Sequence, residues 1–172
     1  MPTSAFIGLG SNLNQPVQQI LRAIERIKVL NGVSLEAISS LYETPPMGPQ
    51  DQPHYVNAAA KIMTSLEPLA LLEALQTIET TQGRTRESGR WGARTLDLDI
   101  LLYGDKCSID PKLTLPHPGL HLRSFVLYPL FEIDKQLDIP RLGPVQQLIE
   151  ELNEPAPCII SAETLEKHLS VC

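Results

Sequence analysis

Two kinds of apolar repeat alternate along this chain, and their order constrains its fold more than any other feature. A repeat of two residues predicts a strand, and a repeat of three to four predicts a helix packed by one face. The predicted elements are, in chain order, a strand at 5–9, a helix from 16, strands at 33–42 and 55–63, a helix from 68, and a strand at 95–103. This order predicts an α+β fold of the ferredoxin-like kind, an antiparallel sheet with helices packed on it.

The two predicted helices carry apolar stripes and have recognisable ends. Asn14 is expected to cap the first helix, with Pro16 in its first turn and Gly32 closing it, and Pro68 is expected to begin the second. The stripes are Val17, Ile20, Leu21, Ile24 and Ile27 in the first helix and Leu71, Leu72, Leu75 and Ile78 in the second. C-terminal helical additions are expected at 122–133, interrupted at Pro129, and at 145–152.

The glycine-rich segment that follows the first predicted strand resembles a phosphate loop only superficially. Gly8-Leu9-Gly10-Ser11-Asn12 lacks the Lys-Ser/Thr pair of a P-loop and the third glycine of a dinucleotide-binding motif. We therefore interpret it as a tight turn between the first strand and the first helix.

The segment 83–104 combines a glycine-punctuated loop rich in arginine with the last predicted strand. Half of the chain's eight arginines lie in this loop, at Arg84, Arg86, Arg90 and Arg94. In the strand, Asp97 and Asp99 share one face, and Leu96, Leu98, Ile100 and Leu102 are expected to share the core face. Two carboxylates beside concentrated guanidinium groups favour a divalent metal and a polyphosphate. The alternative is a solvated strand face whose carboxylates pair with the arginines.

Composition and charge narrow the class of protein. A chain of 172 residues, 42% hydrophobic and 20% charged, is typical of one soluble globular domain, so we expect a single domain over 1–172. The net charge of −6 argues against general nucleic-acid binding. Three cysteines without metal-type spacing, no apolar run of membrane-span length and no targeting signal predict a cytoplasmic protein.

Four motifs, in order over residues 5 to 133, carry a resemblance to a known family. They are GLGSNL, SSLYETPPMGPQDQPHYVNAA, RWGARTLDLDILLYG and LPHPGLHLRSFVLYPLFEI. The chain resembles the 6-hydroxymethyl-7,8-dihydropterin pyrophosphokinases of folate biosynthesis. The resemblance implies an ATP-dependent transferase that moves diphosphate from ATP to the pterin hydroxymethyl oxygen and releases AMP. Its expected partners are these two small-molecule substrates, with no nucleic acid and no membrane. The resemblance also implies ATP as co-substrate, two magnesium ions and a monomer.

The resemblance further implies a role for individual residues. Asp97 and Asp99 match the magnesium ligands, and the catalytic loop residues match Arg84, Arg86, Trp91 and Arg94. The nucleotide-binding positions match Gln76, Glu79, Arg84, Arg94, Ile100, Lys112, Thr114, His117 and Arg123. The pterin-binding positions match Thr44, Pro45, Met47, Tyr55, Asn57 and Phe125, with Tyr55 and Phe125 as the aromatic pair. Met47 and Pro118 stand where some relatives carry leucine and an aromatic residue.

Two rival functions remain open at the level of sequence. A different metal-dependent phosphate enzyme, such as a phosphoesterase, would account for the aspartates and arginines but not for the Tyr55–Asn57 strand or the proline-rich loop before it. A non-catalytic ferredoxin-like module that binds a ligand or RNA would account for the fold. The net charge of −6 argues against RNA as the ligand of such a module.

Overall fold

The computed structural model describes residues 2–12, 15–44, 54–83, 96–161, 163 and 165. The first part of the chain forms β1 (Thr3–Ser11), α1 (Pro16–Lys28), β2 (Val33–Ile38), β3 (Tyr42–Thr44), β4 (Tyr55–Thr64), α2 (Pro68–Thr81) and β5 (Asp97–Tyr103). The second part forms β6 (Ser108–Asp110), β7 (Leu113–Leu115), a short 3-10 helix (Leu120–Leu122), α3 (Ser124–Ile133), β8 (Asp138–Ile139), β9 (Gly143–Pro144), α4 (Val145–Leu152) and β10 (Cys158–Ile159). Across these ranges, every helix is too short or too polar to cross a bilayer.

Within the described ranges, the main sheet has six strands, and their pairings are antiparallel. Its order is β10-β3-β4-β1-β5, and β2 pairs with β4 as well. The expected mixed fold of helices on an antiparallel sheet is therefore confirmed. Because β4 and β5 both run antiparallel to the central β1, they begin at the same end of the sheet, which is the end where β1 finishes.

The two faces of the sheet support two separate apolar cores. The first core contains the buried stripes of α1 and α2, together with β-strand residues such as Ile7, Ala60 and Ile100. The second contains Leu127, Leu130 and Leu148 from α3 and α4, packed with residues such as Phe6 and Ala59 of the sheet. The predicted stripes are confirmed, with Leu21 and Leu72 partly buried at their margins. The sheet therefore lies between two layers of helices.

Several local expectations were wrong. Helix α3 is continuous from Ser124 to Ile133 and contains Pro129, where an interruption was expected. Gly8 and Gly10 lie inside β1 rather than in a turn. The residue that caps α1 is Gln15, with no side-chain hydrogen bond, and the expected cap Asn14 lies outside the described residues. Helix α1 ends at Lys28, and Gly32, at a φ of 80°, instead turns the chain into β2.

The predicted strand 33–42 is divided in two, because regular pairing with β4 is interrupted at residues 39–41. The Ser39 hydroxyl accepts the Ala59 N–H at 2.9 Å and donates to the Ser40 carbonyl at 2.8 Å. This local bonding by a serine competes with regular pairing and separates β2 from β3.

The core face of β5 also differs from strict alternation. Ile7 pairs with Ile100 and Phe6 pairs with Leu102, so Leu101 is an extra residue in β5. A bulge of this kind reverses the faces that follow it. As a result, Leu98 and Ile100 belong to the first core, whereas Leu102 belongs to the second core and not to the face predicted for it.

Candidate active site

The central strand β1 places the predicted pterin and metal residues in one row. Gly10 pairs with Asn57 of β4 on one side and with Asp97 of β5 on the other. Two residues earlier in β1, Gly8 pairs with Ala59 of β4 and with Asp99 of β5. Residues directly opposite one another on paired strands point to the same face of a sheet. Asn57, Asp97 and Asp99 therefore share a face, with only β1 between their strands.

The glycine at position 10 leaves room for the Asn57 side chain in this row. A Cβ atom on Gly10 would lie 2.9 Å from Oδ1 of Asn57, closer than carbon and oxygen can approach. Glycine within a strand often marks such a close approach of other groups. The sequence interpretation as a turn missed this role, although Ala5, Ile7 and Leu9 keep a period of two as far as Gly10.

We predict that Gly10→Ala weakens pterin binding by displacing the Asn57 side chain. The expected loss is about 1–3 kcal/mol, the usual cost of leaving a buried polar group misplaced. Isothermal titration with the pterin, in the presence of magnesium and a non-hydrolysable ATP analogue, measures it. In an Asn57→Ala background the same change should cost much less, because the clashing atom is gone. An undiminished loss in that background would contradict the proposed clash.

The pterin-side residues of β3 and β4 are buried and bonded to one another. Asn57 and Thr44 are 8% and 9% exposed, and the Asn57 amide donates to Oγ1 of Thr44 at 3.3 Å. Thr44 pairs with the half-buried Tyr55 across the two strands. The predicted positions Thr44, Tyr55 and Asn57 therefore form one patch at the beginning of β4.

The second predicted aromatic residue lies on the first turn of α3, the helix that packs against β4. Phe125 is half-buried, and the Arg123 guanidinium carbon lies 5.9 Å from the centre of its ring. Arg123 also packs closely on Gly119, where a Cβ atom would lie 2.9 Å from the guanidinium carbon. At the start of α3, Phe125, which is predicted to bind the pterin, therefore lies beside Arg123, which is predicted to bind phosphate.

On the metal side, His117 approaches the two aspartates. Its Nε2 lies 3.9 Å from Oδ2 of Asp99, whose side chain is 39% exposed. Nδ1 of His117 accepts the Gly119 N–H at 3.2 Å, so in the neutral ring the proton is on Nε2, facing Asp99. Burial and the charge of Arg123 lower the pKa of His117, although Asp97 opposes the shift. The shift favours the neutral form of the imidazole.

Glu79 of α2 fixes the strand that carries the aspartates. Its side chain is buried, at 4% exposure, and its Oε2 accepts the N–H of Leu98 at 2.7 Å. Leu98 lies between Asp97 and Asp99 in the sequence. A buried carboxylate that accepts a backbone N–H is a strong, directional contact. The sequence alone identified Glu79 only as a nucleotide-side position, because its burial depends on how α2 meets β5.

The remaining nucleotide-side positions lie on three mutually contacting elements: α2, β5 and the β6–β7 hairpin. Gln76 is exposed on α2, and Lys112 is exposed in the hairpin, where its N–H donates to Asp110. Thr114 on β7 donates its hydroxyl to the Asp110 carbonyl at 3.2 Å. Ile100 is buried in the first core, so its side chain lies on the face of β5 opposite the aspartates.

Six predicted site residues lie outside the described residues: Pro45, Met47, Arg84, Arg86, Trp91 and Arg94. The described residues on either side of these two segments show where the segments attach to the sheet. β4 and β5 begin at the same end of the sheet, and β3 ends there beside Tyr55. The two loops that the sequence marked as irregular are thus attached to the sheet next to Asn57 and Asp97.

The donor chemistry of Asp97 and Asp99 fits magnesium. Among the described residues, no group of three or more His, Cys, Asp and Glu is arranged to hold a metal ion. A site of two carboxylates is nonetheless usual for magnesium, which commonly completes its shell with substrate phosphates and water.

Comparison with known proteins gives one consistent result. Residues 6–135 match the model of the family described as 7,8-dihydro-6-hydroxymethylpterin-pyrophosphokinase (HPPK). The chain is 51% identical over 148 residues to the 2-amino-4-hydroxy-6-hydroxymethyldihydropteridine pyrophosphokinase of Haemophilus influenzae, covering 86% of this chain and 92% of that one. It is 48% identical over 135 residues to the enzyme of the same name from Pseudomonas aeruginosa, covering 78% and 83% of the two chains.

The fold has solved counterparts. The wild-type Plasmodium falciparum HPPK-DHPS with pteroate superimposes with a TM-score of 0.70 at 15% identity, over 88% of this chain. This chain spans 42% of that longer one. With the family model covering most of its length and relatives near half identity, the chain belongs to the 7,8-dihydro-6-hydroxymethylpterin-pyrophosphokinase family.

Proposed function

We propose that this chain transfers diphosphate from ATP to the hydroxymethyl group of 6-hydroxymethyl-7,8-dihydropterin, giving AMP and the pterin diphosphate in folate biosynthesis. The observation that carries the proposal is the row Asn57–Gly10–Asp97. It puts an amide suited to a pterin edge one strand away from carboxylates suited to magnesium. A phosphoesterase would need only the second half of this row.

The pterin pocket is assigned to Thr44, Asn57, Tyr55 and Phe125, with Pro45 and Met47 completing it. An amide both donates and accepts hydrogen bonds, which matches the mixed edge of a pterin. Flat heterocycles are held well against aromatic faces. The hydrogen bond from Asn57 to Thr44 supports this role, because it fixes the orientation of the amide before the substrate arrives.

The phosphate side is assigned to Asp97, Asp99, His117 and Arg123. Two magnesium ions, when bound, would neutralise the phosphate charge and lower the pKa of the attacking hydroxyl. The neutral His117 presents its Nε2–H to the same space and can donate to a phosphate oxygen. Arg123 supplies a guanidinium fork that suits phosphate oxygens.

The nucleotide is assigned to the junction of α2, β5 and the hairpin, through Gln76, Ile100, Lys112 and Thr114. Arg84, Arg86, Trp91 and Arg94 are proposed to close over the phosphates and to exclude water. Positioning and charge neutralisation dominate this class of transfer, because little covalent chemistry falls to the protein.

The proposal extends to the whole molecule. Residues 1–172 form a single pyrophosphokinase domain that acts as a cytoplasmic monomer. Its core is the ferredoxin-like unit made of β1, α1, β2–β3, β4, α2 and β5, and α3 and α4 are C-terminal helical additions. The sheet order β3-β4-β1-β5 supports this interpretation, since it matches the strand order expected of a split βαβ unit.

A coupled assay tests the reaction itself. With ATP, magnesium and the pterin present, we expect AMP to form in step with the pterin diphosphate, and no nucleotide product when the pterin is left out. ADP as the product would contradict attack at the β-phosphorus. Release of free phosphate without the pterin would favour the phosphoesterase.

We predict that Phe125→Ala weakens pterin binding by roughly 1–3 kcal/mol through the loss of stacking. Binding of an ATP analogue should change little, and both affinities can be measured by calorimetry. Phe125→Leu is the matched variant, because it keeps an apolar side chain without the ring. If the leucine variant binds the pterin as well as the original chain does, the aromatic face is not what holds it.

A further inference from the structure

Helix α3, which packs against β4, also contacts the chain between β2 and β3. This contact lies close to the pterin patch, which consists of Thr44, Tyr55 and Asn57. Pairing is irregular at residues 39–41: the Ser39 N–H still donates to the Ala59 carbonyl at 2.9 Å, but the Ser40 N–H donates to a side chain and not to a strand. That N–H donates to both carboxylate oxygens of Glu132, at 3.1 and 3.0 Å. The Ser40 hydroxyl donates to Oε2 of the same residue at 2.8 Å. One side chain of α3 thus satisfies the backbone where the strand is interrupted.

A further contact extends this cluster into β3. The hydroxyl of Tyr42 donates to Oε1 of Glu132. Desolvation favours a higher pKa for Glu132, but the hydrogen bonds from Tyr42 and Ser40 outweigh it and lower that pKa. Burial and the bond to Glu132 raise the pKa of Tyr42, so the phenol stays a donor. Charge-assisted bonds of this kind are short and directional, which suits them to fixing a distance.

Both ends of this contact lead to the pterin patch. Tyr42 is directly opposite Asn57 across the β3–β4 ladder, and it shares the buried side of β3 with Thr44. Glu132 follows Phe125 by seven residues, two turns along α3, so the two side chains leave the helix on the same side. The contact therefore ties the strand that carries Thr44 and Asn57 to the helix that carries Phe125.

We propose that Glu132, acting through Tyr42 and Ser40, is a positioning residue that sets the separation between the two walls of the pterin pocket. It does not touch the substrate. This inference rests on the proposed function, because it assumes that the pterin binds between β3–β4 and α3.

Two conservative variants test it. Tyr42→Phe removes only the hydroxyl, and Glu132→Gln removes the charge while keeping the shape. Glu150→Gln, at an exposed position on α4, is the matched control for the loss of a carboxylate. For each protein, the pterin dissociation constant is measured with magnesium and a non-hydrolysable ATP analogue present, the analogue is titrated separately, and unfolding in urea is followed.

We expect the pterin dissociation constant to rise about tenfold for Tyr42→Phe and for Glu132→Gln, since small displacements of binding groups are costly. The dissociation constant of the ATP analogue should stay within about twofold of the original, as should both constants of Glu150→Gln. The double variant should lose less than the product of the two single losses, because both remove the same contact.

The outcomes separate this inference from the proposed function. If the original chain does not bind the pterin, the proposed function fails and the inference fails with it. If the original chain binds but both variants keep its pterin affinity, the inference alone is wrong, whatever the variants lose in stability. Equal weakening of pterin and nucleotide would also overturn it, because the contact would then support the whole domain rather than the pocket.

Discussion

Replacing either Asp97 or Asp99 by alanine should reduce turnover by about 10³-fold or more, roughly 4 kcal/mol of transition-state stabilisation. Each carboxylate lies on the site face of β5, opposite a glycine of β1. Each is expected to supply an oxygen ligand to magnesium. Magnesium prefers oxygen donors and is usually bound by only one or two carboxylates of the protein. Loss of one of two carboxylates therefore removes a large part of what the protein contributes to the metal.

The fold should survive these changes, because neither aspartate belongs to the two apolar cores. AMP release is the readout for activity, and urea unfolding is the readout for stability. Asp105→Ala, at an exposed turn just after β5, is the matched control and should keep full activity. Turnover close to that of the original chain in either Asp97→Ala or Asp99→Ala would rule out the metal role.

Glu79→Ala should lower turnover by about 10²-fold, the order of loss that a displacement of about 1 Å can cause. The change leaves the buried N–H of Leu98 without the carboxylate that accepts it, and the aspartates on either side lose their fixed position. The free energy of unfolding should fall by about 1–3 kcal/mol, the cost of an unsatisfied buried group.

Glu79→Gln separates the two roles that Glu79 can have. A glutamine oxygen can still accept the Leu98 N–H, so turnover should largely return if this hydrogen bond is what matters. If Glu79 instead acts by contacting the nucleotide, both variants should lose affinity for the ATP analogue. Equal loss of turnover in Glu79→Gln and Glu79→Ala, with nucleotide affinity unchanged, would contradict a role through the Leu98 N–H.

The sequence by itself predicted the four helices of the described chain, the main strands of the sheet and the family. Alternation in 55–63, and in the last strand as far as Ile100, reports which side of each strand is apolar. The stripes beginning at Val17 and Leu71 do the same for the helices, and this local property survives folding. The same patterns identified Asp97 and Asp99 as neighbours on one face. The four motifs then predicted which residues of the chain to expect in a site.

The tertiary structure alone decided how those residues meet. Register and strand order arise from pairing between distant segments, and a shift of one residue would have turned every side chain to the other face. Only the pairing shows that Gly10 separates Asn57 from Asp97, and that the extra residue Leu101 moves Leu102 into the second core. Glu79 and Glu132 would be ordinary polar helix positions by pattern. Their bonds to Leu98 and to Tyr42 depend on helix packing, which no local repeat encodes.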